Sequence, residues 1–392
     1  MPRSFTVHSW TAGDNRLQLR PACDMRLILF FTRGISLKTW DDVGMFEREV
    51  ALYRQLQEHD VQSTFVTYGS GQDLGYTPRL NGIRIFCNRW RLPQSLYRQM
   101  LCRLYPFSWR GSVVLKSNQL WGADVALRVA RRCGKKFIAR CGYLPSDFVA
   151  RENGPDSSEA QRARVLERRV FSAADHVVVT TQSMRRVLLT DYSIAPERVT
   201  VIPNYVETEL FRPAQNGSLR SKRICFVGRL EEQKNPLALL EAVKGLDVEL
   251  SIIGNGSLGE RLREEARREN LAVNFLGNVP HRELSEIFNR SALFVLPSLY
   301  EGHPKTLLEA MACGLPVVGT DVSGIREIIC HRENGYLCGT SPMEIRAAIQ
   351  ELLADRDMSA RLGRSAREFV VQHFALERVA RMELEVLQRV AA

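Results

Sequence analysis

Short apolar runs alternate along this chain with longer segments in which apolar residues recur every three to four positions. The apolar runs predict strands at residues 25–31, 63–68, 83–86, 112–116, 136–139, 176–180 and 199–203, and then at 223–227, 248–253, 273–276, 293–296 and 316–320. The periodic segments predict helices near residues 43–58, 158–174, 183–190, 236–243, 258–269, 281–290, 304–312, 343–354 and 358–390. Strands that alternate with helices are typical of βαβ units and parallel sheets. The pattern therefore predicts an α/β fold with two Rossmann-like, doubly wound domains that face each other across a cleft.

A polar segment separates the two series of strands. Residues 212–222, which include Pro213, Asn216 and Gly217, have the composition of a linker. The predicted domains are residues 25–205 and 206–372, each large enough to bury its own core, and residues 1–24 are predicted to be a loosely ordered extension. Ligands of doubly wound sheets bind outside the carboxyl ends of the strands, so the loops that follow the strands are where binding residues are expected.

The net charge of +10 is concentrated in the first half of the chain. Residues 1–205 carry 30 Lys+Arg against 18 Asp+Glu, whereas residues 206–392 carry 24 against 26. Between Asp73 and Asp124 there is no acidic residue, and basic residues are mixed with aromatic ones: Arg79, Arg84, Phe86, Arg89, Trp90, Arg91, Tyr97, Arg98, Arg103, Tyr105, Phe107, Trp109, Arg110, Lys116 and Trp121. Such a mixture suits an anionic bilayer, a nucleic-acid groove or a phosphorylated acceptor. The alternative is an ordinary solvated arginine face above buried aromatic rings.

Cysteine usage and hydropathy predict a cytoplasmic protein. The nine cysteines are scattered and form no C-x-x-C pair, which favours reduced thiols over disulfides or a zinc ribbon. The first 24 residues lack the apolar core of a signal peptide, and no run approaches the roughly 18 apolar residues that span a bilayer. The seven histidines form no closely spaced pair, so we predict no metal site.

Two motifs resemble binding sites but favour a structural interpretation. Gly254-Asn-Gly-Ser-Leu-Gly259 fits the G-x-G-x-x-G pattern of dinucleotide sites, but the required acidic residue about 20 positions later is missing. These glycines indicate a tight turn after a strand, at which a ligand base could approach the Gly254 backbone. Asp355 and Asp357 resemble a metal-binding pair, but their helical setting turns the two side chains apart and favours solvation.

A basic loop follows the first strand of the second domain. In Gly228-Arg229-Leu-Glu-Glu-Gln-Lys234, a strand ends in glycine and two cations follow within one loop. An arginine fork and a lysine point charge at the carboxyl end of a strand can hold a diphosphate. The alternative is a surface loop in which the cations pair with Glu231 and Glu232.

A second segment combines two glutamates with a helix start. In the segment from Glu301 to Gly314, Pro304 is expected to begin a helix and Gly314 to end it. Glu301 then lies in the loop before the helix, and Glu309 lies within the helix. The free N–H groups near Lys305 and Thr306 form an anion site that the helix dipole strengthens.

These elements together resemble the retaining glycosyltransferases of the GT-B fold, specifically family 4 (glycosyl transferases group 1). The resemblance covers roughly residues 196–392 and is carried by several motifs in the family's order: Ile202-Pro203-Asn204, Gly228-Arg229-Leu230 with Lys234, Ile253-Gly254-Asn255-Gly256, Phe275-Leu276-Gly277, Glu301 with Glu309, Gly314-Leu-Pro316-Val-Val318, Ser323-Gly324-Ile325-Arg326-Glu327 and Asn334-Gly335. It implies that a C-terminal helix, about residues 373–392, returns to the N-terminal domain.

The resemblance also implies a set of roles. Arg229 and Lys234 would hold the donor diphosphate and stabilise the leaving group, Glu301 would contact the sugar, and Glu309 would bind the ribose. Backbone groups near the donor are implied at Gly228, Gly254, His303, Lys305, Thr306 and Leu307. The catalytic set implied is Arg229, Lys234 and Glu301, with a nucleoside diphosphate sugar as donor and no cofactor or metal.

The first half departs from the family's common pattern, which has a Gly-Gly loop after the first strand and histidines after two later strands. This chain has Thr32-Arg33-Gly34-Ile35-Ser36 at the first position and Lys116-Ser117-Asn118-Gln119 and Arg140-Cys141-Gly142 at the others. Candidate residues on the acceptor side are Asn118, Gln119, Arg140 and Asp147.

The resulting hypothesis is a retaining hexosyl transfer from a nucleoside diphosphate sugar to a hydroxyl on a glycolipid, polysaccharide or glycan precursor. Expected partners are the donor, a sugar or lipid-linked acceptor and an anionic membrane contacted peripherally through residues 74–123, at the inner face of the membrane; nucleic acid is not expected. Two alternatives stay open: a GT-B-like sugar-nucleotide epimerase, which would convert donor without acceptor, and a non-catalytic module that binds sugar nucleotides.

Overall fold

The computed structural model describes residues 25–105, 107, 111–214 and 222–392. The predicted extension 1–24, most of the predicted linker, and Trp109 and Arg110 of the basic stretch lie outside the described residues. The described strands are β1 Arg26–Phe30, β2 Gln62–Ser70, β3 Arg84–Asn88, β4 Val113–Ser117, β5 Lys136–Cys141, β6 His176–Val179, β7 Val199–Val201, β8 Arg223–Val227, β9 Glu249–Ile253, β10 Val273–Gly277, β11 Leu293–Leu296, β12 Val317–Thr320 and β13 Tyr336–Cys338.

The described helices are α1 Leu37–Asp42, α2 Phe46–Gln57, α3 Gln94–Leu104, α4 Ala123–Arg132, α5 Pro145–Asn153, α6 Ser158–Ala173, α7 Gln182–Thr190, α8 Pro236–Ala242, α9 Gly259–Arg268, α10 Leu284–Asn289, α11 Lys305–Ala312, α12 Ser323–Arg326, α13 Pro342–Ala354, α14 Arg356–Phe374 and α15 Leu376–Ala391.

The described chain divides into two compact units. The N-terminal unit comprises residues 25–204 together with 376–392, and the C-terminal unit comprises residues 205–375. The N-terminal unit holds a seven-stranded sheet of order β3-β2-β1-β4-β5-β6-β7, in which all pairs are parallel. Parallel strands need crossover connections, and helices supply them here, as the alternating pattern predicts. Two α/β units with Rossmann-like sheets confirm the predicted fold class.

The C-terminal unit holds a six-stranded parallel sheet of order β10-β9-β8-β11-β12-β13. Two of its inner strands, β11 and β12, contain only buried residues. The edge strand β13 is absent from the sequence-based prediction because it has three residues, all half-buried, and so produces no apolar run.

The C-terminal helical segment is broken, although the sequence pattern predicts one continuous stretch. Ala375 is extended (φ −58°, ψ 142°) between α14 and α15, and it bridges to Val206. After this break α15 packs on α2 and β4 of the N-terminal unit. The return of the last helix to the first domain, which the family resemblance implies, is therefore confirmed.

The first half contains four helices, α1, α3, α4 and α5, that the sequence-based prediction omits. α5 begins at a proline in its first turn, and α3 follows Pro93, so both starts resemble loops when only local composition is considered. Within the described ranges, no helix is both long enough and apolar enough to cross a bilayer. The eight cysteines of the described part are free thiols: Cys87, Cys102, Cys133, Cys141, Cys225, Cys313, Cys330 and Cys338.

Candidate functional site

The loop that follows β8 packs backbone to backbone against the loop that follows β9. The Gly228 N–H donates to the Ile253 carbonyl at 3.0 Å. A Cβ at Gly254, whose φ is +126°, would lie 2.0 Å from the Gly228 carbonyl oxygen. A Cβ at Gly256 would lie 2.4 Å from the Leu230 carbonyl oxygen. The glycines that resemble a dinucleotide motif therefore allow two loops to stack at the carboxyl ends of neighbouring strands.

Gln233 connects this basic loop to the loop after β11. Its Oε1 accepts from Nη2 of Arg229 at 2.9 Å, and its Nε2 donates to the Tyr300 carbonyl at 2.9 Å. Its own carbonyl accepts from the Leu299 N–H at 2.9 Å. Gln233 is buried, whereas Arg229 is exposed, so the glutamine fixes one edge of a guanidinium that otherwise faces solvent.

Lys234 and Glu301 form an ion pair between the same two loops. Nζ of Lys234 donates to Oε1 of Glu301, and that oxygen also accepts from Oγ of Ser298 at 2.7 Å. The two charged side chains are 13% and 6% exposed, so both lie largely out of solvent. The lysine stem runs beside Gly228, whose added Cβ would lie 3.6 Å from Cδ of Lys234. A cation and a carboxylate that the sequence separates by 67 positions are thus joined at one sheet edge.

The predicted helix start lies immediately after this pair. α11 begins at Lys305, after an extended Pro304, and its first turn contains Thr306 and Leu307 and no acidic residue. The first N–H groups of a helix have no carbonyl partner within the helix and carry the positive end of its dipole. Nζ of Lys305 lies 5.7 Å from the centre of the Tyr205 ring. Positive charge and N–H donors are therefore concentrated next to Glu301.

The remaining predicted donor residues are buried. His303 packs its ring edge-on against Phe374, with centroids 5.4 Å apart. Glu309 is 1% exposed, and its Oε1 lies 2.8 Å from Nε2 of His281, which is also buried. His281 therefore fixes the orientation of a carboxylate on the face of α11 that points away from solvent.

Three of the four predicted acceptor-side residues lie at the carboxyl ends of β4 and β5 in the N-terminal unit. Nη1 of Arg140 donates to the Asn118 carbonyl at 3.2 Å, and Nη2 donates to Oδ1 of Asn204 at 2.9 Å. Oε1 of Gln119 accepts from the Gly142 N–H at 2.9 Å. These contacts join the ends of two neighbouring strands into one polar cluster.

The fourth acceptor-side residue has a different setting. Asp147 pairs with Arg151 one turn later on α5, with a distance of 3.1 Å from Nε to Oδ2, and both side chains are half exposed. The contacts of its carboxylate are thus within its own helix.

Beside this cluster lies a fully buried ion pair. Nζ of Lys116, in β4, lies 2.6 Å from Oε2 of Glu383, in α15, and the two side chains are 1% and 2% exposed. Burial lowers the pKa of Lys116, and the charge of Glu383 opposes that shift. Lys116 therefore belongs to the core of the N-terminal unit and not to a basic surface.

The structure also decides between the alternative interpretations of two segments. Glu231 accepts from the N–H and the hydroxyl of Ser257, so the described contacts do not pair it with Arg229 or Lys234. Asp355 is the N-cap of α14, where its Oδ1 accepts from the Met358 N–H at 2.8 Å. The prediction that Asp355 lies within a helix is wrong by one position, because the carboxylate caps the helix instead.

Three residues outside the predicted set hold the candidate residues in place: Gln233, His281 and Ser298. Gln233 directly precedes Lys234, and nothing in the surrounding sequence indicates that this polar side chain is buried. His281 lies 28 positions before Glu309. No local pattern relates residues at that distance, since only the packing of α11 beside the His281 turn brings them together.

Two family models match the chain. The model of the glycosyl transferases group 1 matches residues 207–369, and the model of glycosyltransferase family 4 matches residues 50–210. Among curated proteins, the chain is 30% identical over 256 residues to the alpha-maltose-1-phosphate synthase of Mycolicibacterium smegmatis, with 58% of this chain and 66% of that protein covered. It is 32% identical over 279 residues to the D-inositol 3-phosphate glycosyltransferase of Acidothermus cellulolyticus, with 64% and 62% covered. The chain thus spans slightly less than two thirds of the length of these relatives.

Solved structures share the fold over nearly the whole chain. Sucrose-phosphate synthase from Thermosynechococcus elongatus superposes with a TM-score of 0.77 at 18% identity and covers 93% of this chain and 99% of that one. HepE of Anabaena, solved with UDP-glucose, superposes with a TM-score of 0.74 at 17% identity and covers 93% and 100%. The fold, the two matching family models and the motifs at residues 228–234 and 301–309 agree, and the chain belongs to the GT-B glycosyltransferases of family 4.

Proposed function

We propose that this chain is a retaining glycosyltransferase, which moves a hexose-type sugar from a nucleoside diphosphate sugar to a hydroxyl of a glycolipid, polysaccharide or glycan precursor. The observation that carries the proposal is the joined pair of Lys234 and Glu301 beside the first turn of α11. A diphosphate needs adjacent cations and N–H donors, and a sugar needs a nearby carboxylate that can accept from its hydroxyls.

In this proposal the donor's diphosphate takes the place next to Lys234 that Glu301 occupies in the structure. Glu301 then accepts hydrogen bonds from sugar hydroxyls, while Ser298 continues to donate to it. Arg229 binds the diphosphate through the edge of its guanidinium that Gln233 leaves free for ligand. Charge-assisted bonds of this kind each contribute about 1.5–3 kcal/mol. The family resemblance assigns the ribose to Glu309, and for that contact its carboxylate, which is 1% exposed and held by His281, has to become accessible to the nucleotide.

The proposed chemistry is a front-face substitution. The bond between the sugar's anomeric carbon and the diphosphate oxygen breaks, and a bond from the acceptor oxygen to the same face of that carbon forms. The acceptor's proton passes to the departing phosphate oxygen, and the products are the nucleoside diphosphate and a glycoside of unchanged anomeric configuration. Negative charge develops on the diphosphate, so Arg229 and Lys234 stabilise the transition state more than the ground state. The proposal includes no metal ion, because these two cations supply the positive charge.

On the acceptor side we propose Asn118, Gln119 and Arg140 as contacts to a sugar or lipid-linked hydroxyl. Their polar cluster lies at the carboxyl ends of β4 and β5, where ligands of parallel sheets bind. Asp147 is a weaker candidate, since it is paired with Arg151. We also propose that the protein acts in the cytoplasm at the surface of an anionic membrane, which residues within 74–123 contact.

A thermal-shift screen tests donor binding directly. Nucleoside diphosphate sugars with uracil, guanine or adenine as base are added to the purified chain, since a ligand of the native state raises its melting temperature. We expect one base to give the largest shift, and Arg229→Ala and Lys234→Ala to abolish it. Lys244→Ala is the matched control, because Lys244 belongs to the same unit and pairs with Glu241 on the surface. Equal shifts in all variants would contradict the assigned roles.

Turnover separates the proposed activity from its alternatives. With donor and acceptor present, we expect Arg229→Ala and Lys234→Ala to lower the rate about 10²–10³-fold, and NMR of the product to show the donor's anomeric configuration. Conversion of donor without acceptor would indicate an epimerase. Binding without turnover across a broad acceptor panel would indicate a non-catalytic module.

A further inference from the structure

The N-terminal sheet ends at β3, and the chain turns sharply just beyond this edge strand. The turn presents Arg89, Trp90 and Arg91, which together we call the 89–91 tip. The Arg91 N–H donates to the Asn88 carbonyl at 3.0 Å, and Arg91 has a φ of +54°. The buried Asn88 closes the turn with its side chain, since its Nδ2 donates to the Leu92 carbonyl at 2.6 Å and its Oδ1 accepts from the Leu92 N–H at 3.0 Å. The tip is therefore held in one conformation by three hydrogen bonds at its base.

Aromatic packing supports the tip from below. Trp90 lies 5.5 Å from the ring of Tyr105, which stacks on Phe86 at 4.0 Å with an interplanar angle of 9°. The Tyr105 hydroxyl is fixed to β3, because it donates to the Cys87 carbonyl at 2.5 Å and accepts from the Cys87 N–H at 3.0 Å. Despite this support Trp90 is 40% exposed. The indole thus stands on a rigid base with a large part of its surface in solvent.

The charges of the surrounding basic stretch are not equivalent. Lys116 is buried with Glu383, and Arg79 pairs with Asp41 and Glu47, so neither offers a free charge. Arg89 and Arg91 are exposed, and within the described residues no carboxylate lies within 4 Å of either. The guanidinium of Arg89 lies 4.5 Å from the centre of the Trp90 ring. Two uncompensated cations therefore flank the exposed indole.

We propose that the 89–91 tip docks on a lipid bilayer with anionic headgroups, with the Trp90 indole at headgroup level and the two arginines on the phosphates. Tryptophan favours the membrane interface because it has an apolar body and one N–H donor, and basic residues next to it are attracted by anionic lipids. Leu96, in the first turn of α3, is also 40% exposed. This proposal rests on the proposed function, because the purpose of docking would be to bring the N-terminal unit to a lipid-linked acceptor.

A second basic surface on the same unit provides a charge-matched comparison. The exposed face of α6 carries Arg164 and Arg169, which likewise have no carboxylate within 4 Å among the described residues. The apolar residue beside them is Val165, and no exposed tryptophan accompanies it on α6. If net charge alone governed membrane binding, loss of two arginines from α6 would have the same effect as loss of two from the tip.

Co-sedimentation with vesicles tests the proposal. The full chain is mixed with vesicles of phosphatidylcholine alone, or with vesicles that also contain about one third phosphatidylglycerol. Each mixture is measured at about 0.1 M and about 1 M salt, because the electrostatic screening length is about 10 Å at the lower concentration and about 3 Å at the higher one. We expect binding to need phosphatidylglycerol and to weaken at high salt. Arg89→Gln with Arg91→Gln should weaken it about 30-fold, whereas Arg164→Gln with Arg169→Gln should change it less than threefold. Trp90→Ser should remove the binding that persists at high salt.

Three results would overturn the proposal. The first is wild-type vesicle binding that does not depend on phosphatidylglycerol. The second is a loss of vesicle binding in the α6 variant equal to that in the tip variant. The third is a tip variant that binds vesicles like the wild type but turns over a soluble acceptor more slowly. That result would mean that the tip contacts the acceptor and not the bilayer. Melting temperatures of the arginine variants should match the wild type, since these residues are exposed. Trp90→Ser loses the packing of the indole on Tyr105, so its vesicle binding is measured well below its own melting temperature. Nucleotide-induced thermal shifts, measured without vesicles, report on the donor site separately, so failure of the proposed function is distinguished from failure of this proposal.

Discussion

Removal of the Glu383 carboxylate is expected to destabilise the N-terminal unit more than any exposed substitution on α15. The oxygen that pairs with Lys116 lies 2.6 Å from Nζ, and the two side chains are 1% and 2% exposed. Glu383→Gln would leave the lysine ammonium in the core without its counter-charge. Breaking a buried pair in this way costs about 3–5 kcal/mol, which is a large fraction of the roughly 5–15 kcal/mol that stabilises a typical domain.

The pH dependence of this loss has a defined sign. Burial lowers the pKa of Lys116 below its ordinary value of 10.5, and Glu383 opposes the shift. Without the carboxylate the folded-state pKa falls further, so between that pKa and 10.5 the unfolded chain binds more protons than the folded one. The free energy of unfolding of the variant then rises with pH across this window. In the neutral to alkaline range the deficit relative to the wild type therefore shrinks as the pH rises and the variant's lysine becomes neutral.

Tryptophan fluorescence during urea unfolding measures this effect selectively, because all five tryptophans lie before residue 122. Glu385→Gln is the matched control on the exposed face of α15 and should stay within about 0.5 kcal/mol of the wild type. The double variant Lys116→Met with Glu383→Leu should recover the lost stability, since a packed apolar pair of similar volume is neutral or stabilising by about 1–4 kcal/mol. If Glu383→Gln costs no more than Glu385→Gln, the buried-charge reasoning is refuted.

Three further predictions concern the loops and the sheet. Gly254→Ala should abolish nucleotide-induced thermal shifts, because its Cβ would lie 2.0 Å from the Gly228 carbonyl oxygen and its φ is +126°. A thermal shift in this variant as large as in the wild type would contradict the inferred need for close packing of the two loops. Gln233→Leu should weaken nucleoside diphosphate binding about tenfold in calorimetry by releasing one edge of Arg229, and wild-type affinity in this variant would contradict that role. Burial lowers the pKa of His176 to about 4, so the unfolded chain binds more protons between pH 4 and 6.5 and stability falls as the pH drops through that range. His176→Asn should reduce this loss, which is at most about 3 kcal/mol, in urea titrations at pH 4.5 and 7.

The sequence predicted the fold class well because both sheets are parallel and buried. Strands such as β11 are covered on both faces, so they are continuous apolar runs that need no neighbour to be recognised. Some of the elements it missed have weak local patterns, although α4 (ADVALRVARR) is clearly amphipathic and was missed all the same. β13 has three half-buried residues, and α3 and α5 begin at or beside prolines.

The candidate donor residues were predictable as residue types in loops after strands, but their partners were not. Arg229 and Lys234 stand out because two cations follow a glycine at the end of a strand. Nothing local relates Lys234 to Glu301, 67 positions later, or marks Gln233 as buried. The same holds for Lys116, which the sequence groups with the basic surface and the fold buries against Glu383.

By itself the sequence determined where most strands and helices form, because burial on two faces and helical periodicity both produce patterns among neighbouring residues. It also determined the residue types at the ends of the strands and the excess of positive charge before residue 206. Only the tertiary structure decided which charges are compensated: Lys234 by Glu301, Lys116 by Glu383 and Arg79 by Asp41 and Glu47, while Arg89 and Arg91 stay exposed beside Trp90. The physical reason is that a charge pairs with whatever the chain's crossovers bring within a few ångströms, and parallel sheets bring together residues that are tens to hundreds of positions apart.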